Sequence, residues 1–251
     1  MRLIHKFKIL VVLVPVLTST SNAHAYKVSF QDSHMGVSLG LGYAKQLPTF
    51  GGVWDPLRLF LDSSDTYTNP NDYKTPLRLG YFYRHSQFAV EGYLNYFTNY
   101  KTSWSVNGTN TGSGTTAYKG IGLGLDFEMP FYTGQVFRVG LLISGERLAN
   151  KAVIKYTQDG TNTTTRVDTT SPTYLAGAGL FSEYYLGDLW SLALHANYIY
   201  NFGGTWSVSR SGSMLGNTYS KGDQFLDANG LPKEMNLQHW KLTALLRLKF
   251  Y

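Results

Sequence analysis

The chain contains no cysteine in 251 residues. A disulfide framework, a thiolate metal site and a cysteine nucleophile are therefore excluded. Charge is also sparse. Asp, Glu, Lys and Arg make up 15%, against about 25% in an ordinary soluble domain. Beyond residue 25 no apolar run approaches the ~20 residues of a membrane-spanning helix. Tyrosine and glycine, by contrast, are abundant, at 19 and 26. A hydrophobic content of 43% is too high for a disordered chain. Together these features point to a secreted β protein or to a barrel that crosses a membrane with strands.

Residues 1–25 read as an export signal. Arg2, Lys6 and Lys8 form a basic start, Ile9 to Leu17 a nine-residue apolar core, and Ala23-His24-Ala25 a cleavage site with small residues at the required positions. The processed chain would begin at Tyr26 and hold 226 residues. Removing three basic residues and no acidic one lowers the formal charge from +6 to +3. No basic cluster with interleaved aromatics remains to bind nucleic acid.

Eight runs alternate strictly between apolar and polar or small residues, the mark of a strand with two different faces. They begin at Met35, Pro76, Gln87, Tyr118, Gln135, Thr173, Trp190 and His239. The sixth run is ambiguous in phase, and Tyr174, Ala176, Ala178, Leu180 and Tyr184 are assigned outward. The connections alternate between long (47–75, 101–117, 157–172, 202–238) and short (His85-Ser86, Pro130–Gly134, the turn at Gly187-Asp188). Long loops at one end and tight turns at the other are the layout of a bacterial outer-membrane barrel. The expected fold is thus all-β: a transmembrane, up-and-down, antiparallel barrel of eight strands over 26–251, with long extracellular loops and short periplasmic turns.

Strand length fits a membrane. Trp190 to Tyr200 spans ten steps of ~3.3 Å. At a tilt near 40° the height is about 25 Å, the thickness of an outer-membrane apolar band. Trp240 to Phe250 and Tyr174 to Tyr184 have the same length. With Tyr198, these residues are candidates for the two interfacial aromatic girdles.

In these features, over about 35–251, the chain resembles the small eight-stranded outer-membrane barrels of the OmpA and OmpX type. The resemblance is one of architecture. It implies location in the outer membrane of a Gram-negative cell, among outer-membrane lipid and lipopolysaccharide. It also implies that barrel-assembly machinery reads a C-terminal aromatic. Tyr251 supplies one, although Ala244, Leu246 and Leu248 are in phase with Phe250 instead.

Inward positions carry Arg78, Arg84, Arg138, Lys241, Arg247 and Lys249 against Glu91, Asp126, Glu128, Glu146 and Glu183. Unpaired charges inside a narrow barrel would cost several kcal/mol each, so pairing is expected. The expected result is a plugged lower lumen, either a static polar core or a gate whose pairs exchange partners. Inward glycines on the first and fourth runs are expected to make room for the long Arg and Lys chains.

Three roles follow: a structural or surface-interaction protein, a narrow pore or transporter, and, ranked below them, a lipid A-modifying hydrolase. The hydrolase would need a His beside a Ser near the outer leaflet. His34 and His85 fall at the periplasmic end, and neither His195 nor His239 has a Ser two residues away. No catalytic residue, cofactor or metal is assigned. Asp227-Ala228-Asn229-Gly230 fails the calcium-loop pattern, with Phe225 and Asn236 at ligand positions. The Thr/Asn/Gly/Ser-rich segments 101–117 and 157–172 resemble the strand tips and loops of adhesive barrels, and no surface ligand can be named. In 54–61, Asp55 and Pro56 can start a short helix bearing Trp54, Leu57, Phe60 and Leu61.

Overall fold

The computed structural model describes residues 33–46, 66–68, 73–74, 76–107, 111–160, 164–202, 204–214, 216–226, 230–232 and 239–250. The export signal, the Trp54–Leu61 segment, Asp227–Asn229 and Tyr251 lie outside them.

Twelve strands are present among these residues: β1 (His34–Gln46), β2 (Thr66–Thr68), β3 (Tyr73–Lys74), β4 (Pro76–Arg84), β5 (Ala89–Asn107), β6 (Gly112–Thr133), β7 (Phe137–Gln158), β8 (Thr164–Tyr185), β9 (Trp190–Asn201), β10 (Ser207–Met214), β11 (Asn217–Tyr219) and β12 (His239–Phe250). Eight of them close a ring in the order β1-β4-β5-β6-β7-β8-β9-β12. Two seams complete the closure. Met35 pairs with Phe250 through to Gln46 with His239, and Leu175 pairs with Asn201 through to Tyr185 with Ser191. Every ring neighbour is antiparallel. Closure leaves no sheet edge, and only an edgeless sheet can stand in hydrocarbon.

One end of the ring carries the tight connections. There His85 N donates to Phe88 O at 2.8 Å, Gly134 N to Phe137 O at 2.8 Å and Leu186 N to Trp190 O at 3.0 Å. We call this end lower. The strands are unequal in height: β1, β4, β9 and β12 have 13, 9, 12 and 12 residues, while β5 to β8 have 19, 22, 22 and 22. Half of the wall therefore rises well above the other half.

This height corrects the loop boundaries expected from sequence. Most of 101–117 and 157–172 is strand: Trp104 pairs with Gly114, and Tyr156 with Thr165. After β7 the chain turns at Asp159-Gly160, with Gly160 at φ +83°, where a Cβ would be strained. The long connection 202–238 is also partly strand. In it β10 pairs with the upper part of β8, and β11 pairs with β10.

Polarity inverts along β7. In lower β7 the outward residues Leu141 and Ile143 are exposed, while Arg138 and Glu146 are buried inward. In upper β7 the outward residues are Lys151 and Lys155, while Ala152, Ile154 and Tyr156 are buried inward. An apolar exterior around a polar interior suits lipid; a polar exterior around an apolar interior suits water.

The outer face of the lower ring is a continuous apolar belt that includes Leu39, Leu79, Leu94, Leu123, Ile143 and Leu246. In β8 the outward set is Tyr174, Ala178 and Leu180, and Phe181, Glu183 and Tyr185 are buried.

Candidate functional site: the charged lumen

All eight ring strands contribute polar side chains to one buried network. In an antiparallel sheet, residues paired across strands share a face. The register therefore brings inward charges from neighbouring strands to one height, as where Glu91 lies beside Asp126 and Arg138 beside Glu183.

Arg247 of β12 is the hub. Its guanidinium meets Glu91, Glu128 and Glu183, on three different strands. Arg138 bridges Glu128 at 2.5 Å and Glu183 at 2.9 Å. Glu183 is also paired with Arg84 and accepts from Ser191 Oγ at 2.5 Å. Higher up, Arg78 donates to Glu91 at 2.6 Å and to Asp126 at 2.7 Å. Ser38 of β1 completes the ring by donating to Glu91 at 2.8 Å. Above these, Glu146 takes Lys241 at 3.3 Å and Asn95 Nδ2 at 2.9 Å. The Lys249 ammonium stands 5.1 Å from the centroid of the Tyr185 ring.

Arg78, Arg84, Glu91, Asp126, Glu128, Arg138, Glu183, Arg247 and Lys249 are all buried. At effective interior dielectric a lone ion here would be expelled or neutralised. The fourfold sharing of Glu183 and the threefold sharing of Arg247 satisfy that demand. Aromatic faces add to it: Arg78 lies 3.6 Å from the Tyr93 centroid, Arg138 5.0 Å from Phe181 and Arg247 5.2 Å from Phe82.

His195 of β9 sits inside this network, 1% exposed. Its Nδ1 lies 3.1 Å from Asp126 and its Nε2 3.0 Å from Glu128. Both ring nitrogens are engaged by carboxylates, so the imidazole cross-links β6 to β9. His34, at the lower rim, has Nε2 3.1 Å from Arg84.

The inward glycines serve partners other than those expected. On the first run, a Cβ on Gly36 would meet the Phe82 ring at 2.5 Å. One on Gly122 would collide with Glu146, and one on Gly124 with the Tyr93 ring. The nearest occupants are thus Glu146 and two aromatic rings, while on Gly40 the Arg78 Cβ would stand 3.5 Å from an added Cβ.

Above the polar zone is a second buried cluster that the sequence reading did not identify. Ile154 pairs with Val167, and both are fully buried. Val208 pairs with Thr169 on the same face. Trp206 and Met214 are equally inaccessible. The signal was present in Ala152-Val153-Ile154-Lys155-Tyr156, whose alternation continues that of the strand below it with the polarity reversed.

The residues proposed for the girdles occupy the outer face. Trp190 and Phe250 are exposed at the lower rim. Tyr174, Tyr200 and Trp240 are exposed some ten residues higher. Tyr198 packs edge-on against Trp240, with centroids 5.4 Å apart, and Tyr184 is half-buried. Among the described residues, no group of three or more His, Asp or Glu is placed to hold a metal ion.

A closed antiparallel ring with an apolar outer belt and a charged interior defines an outer-membrane-type β-barrel of eight strands. Among solved structures, the chain is similar to Neisserial surface protein A, at 14% identity and a TM-score of 0.41 over 88% of this chain and 100% of that one. A major outer membrane protein from Thermus thermophilus gives 13%, 0.49, 88% and 100% by the same measures. The outer membrane protein OprG from Pseudomonas aeruginosa gives 13%, 0.47, 88% and 97%. No family model matches the chain, and no curated protein matches it.

Proposed function

We propose that the protein is an integral outer-membrane barrel with a closed lumen, and that it acts through its surface. Its tall wall would face the exterior, and its short turns the periplasm. The observation that carries this reading is the network centred on Arg247. A conducting path would have to pass between a guanidinium and three carboxylates that contact it directly. Ile154, Val167, Trp206 and Val208 supply a second buried layer further up. Strands β5 to β8 with β10 and β11 then form a folded platform for contact outside the cell.

Planar-bilayer recording of the purified, folded protein tests the closed lumen. Membranes holding many copies should stay at the leak level across ordinary voltages. Sustained, uniform current steps would establish the narrow-pore reading instead.

A further inference from the structure

Outward positions at the top of the apolar belt on β6, β7 and β8 carry an unusual accumulation of positive charge. Lys119 stands directly opposite Lys151, and Lys155 directly opposite Arg166. Directly opposed residues have Cβ atoms about 5 Å apart, and like charges so placed destabilise a sheet. Arg210 lies beside the same face, in register with Asp168. Asp168 is engaged by Arg166 through two hydrogen bonds of 2.7 and 2.9 Å. Among the described residues, Lys119, Arg147, Lys151 and Lys155 form no ion pair. The outward residues of β12 from Trp240 to Phe250 carry no charge.

Its height is informative. Arg147 is in register with Leu123 of the belt and with Tyr174, and its guanidinium stands 5.9 Å from the Tyr174 centroid. Lys119 and Lys151 lie four residues further up their strands, about 10 Å at the usual rise and tilt. Below Arg147 the outer face is shallow. Gly145 pairs with Ala176, and a Cβ on Gly145 would meet nothing within 4 Å. Leu125 and Ile143 are exposed beside it. Three cations thus span about 10 Å of the outer face, from the top of the belt upward, above a shallow apolar strip.

We propose that Lys119, Arg147 and Lys151 bind the phosphorylated headgroup of an outer-leaflet glycolipid, with its acyl chains lying along the Gly145–Ala176 strip. The bound phosphate offsets the repulsion between Lys119 and Lys151. The proposal rests on the outer-membrane reading, and it specifies the lipid class and the face.

The test uses the full processed chain folded in detergent, with bisphosphorylated lipid A as the probe. Lys119→Gln/Arg147→Gln/Lys151→Gln should weaken binding about tenfold or more. Dephosphorylated lipid should bind the unsubstituted protein with a similar loss, and added salt should weaken the phosphorylated complex. Millimolar inorganic phosphate should not displace the lipid. Equal binding by the variant, or equal binding of the dephosphorylated lipid, would overturn the proposal. Displacement by inorganic phosphate would reassign the patch to free anions and overturn it as well. Heat-modifiable migration establishes that the variant is folded, and the salt titration of the unsubstituted protein gives a result even if it is not. Recovery of the unsubstituted protein folded in detergent-free buffer would refute the outer-membrane reading, a result distinct from these.

Discussion

At the scale of single residues, the barrel interior depends on shared ions. Arg247 is the only described side chain that touches Glu91, Glu128 and Glu183 together. Removing one partner of a buried pair leaves an uncompensated charge and costs about 3–5 kcal/mol. Arg247→Leu should therefore lower the unfolding free energy by about that amount, read from urea titration in lipid vesicles. Adding Glu128→Gln should restore part of the loss, because residues of one network do not contribute additively. A loss under about 1 kcal/mol would show that the lumen is more hydrated than its burial indicates. The positions of these charges could be read from sequence because each falls on the inward phase of an alternating run. Their partners could not. Nothing local links Arg247 to Glu91, 156 residues apart; only closure of the ring brings them together. The glycines were assigned the wrong occupants for the same reason, since Gly122 and Glu146 meet through the register of β6 and β7.

At the scale of elements, the tall wall behaves as a second structural unit joined to the first. Its inner face mixes apolar Ile154, Val167 and Val208 with buried Thr169, Ser171 and Thr173, and β10 extends it beside β8 above the seam where β9 closes the ring. Trp206 is 0% exposed at the start of β10. Trp206→Ala should cost about 3–5 kcal/mol, and the loss should fall locally because ring pairing lies below it. Limited proteolysis should then cut within 203–232 while heat-modifiable migration persists. Loss of that migration would show that the upper cluster and the barrel fold as one unit. The eight lower strands were legible because Leu, Tyr and Trp mark the lipid face against Gly, Arg and Glu. The upper extensions were not, because Thr, Ser, Asn and Gly occupy both faces of 101–117 and 157–172 and blur the period of two. β10 escaped for a related reason: Ser207–Met214 is SVSRSGSM, which has only two large apolar residues.

At the scale of the whole molecule, one chain meets two solvents. Below the level of Tyr174 and Trp240 the outer face is greasy; above it, on β7, Lys151 and Lys155 face out and the greasy residues Ala152, Ile154 and Tyr156 face in. The absence of cysteine makes this account directly testable, since single introduced thiols have no background. The decisive measurement is a cysteine scan along β7 in lipid vesicles, read by reaction with a membrane-impermeant maleimide. Thiols at 141 and 143 should be shielded by lipid, those at 142 and 154 shielded by protein, and those at 151 and 155 should react fast. Rapid labelling at 141 and 143, equal to that at 151 and 155, would contradict the lipid-facing belt and with it the barrel's place in the membrane.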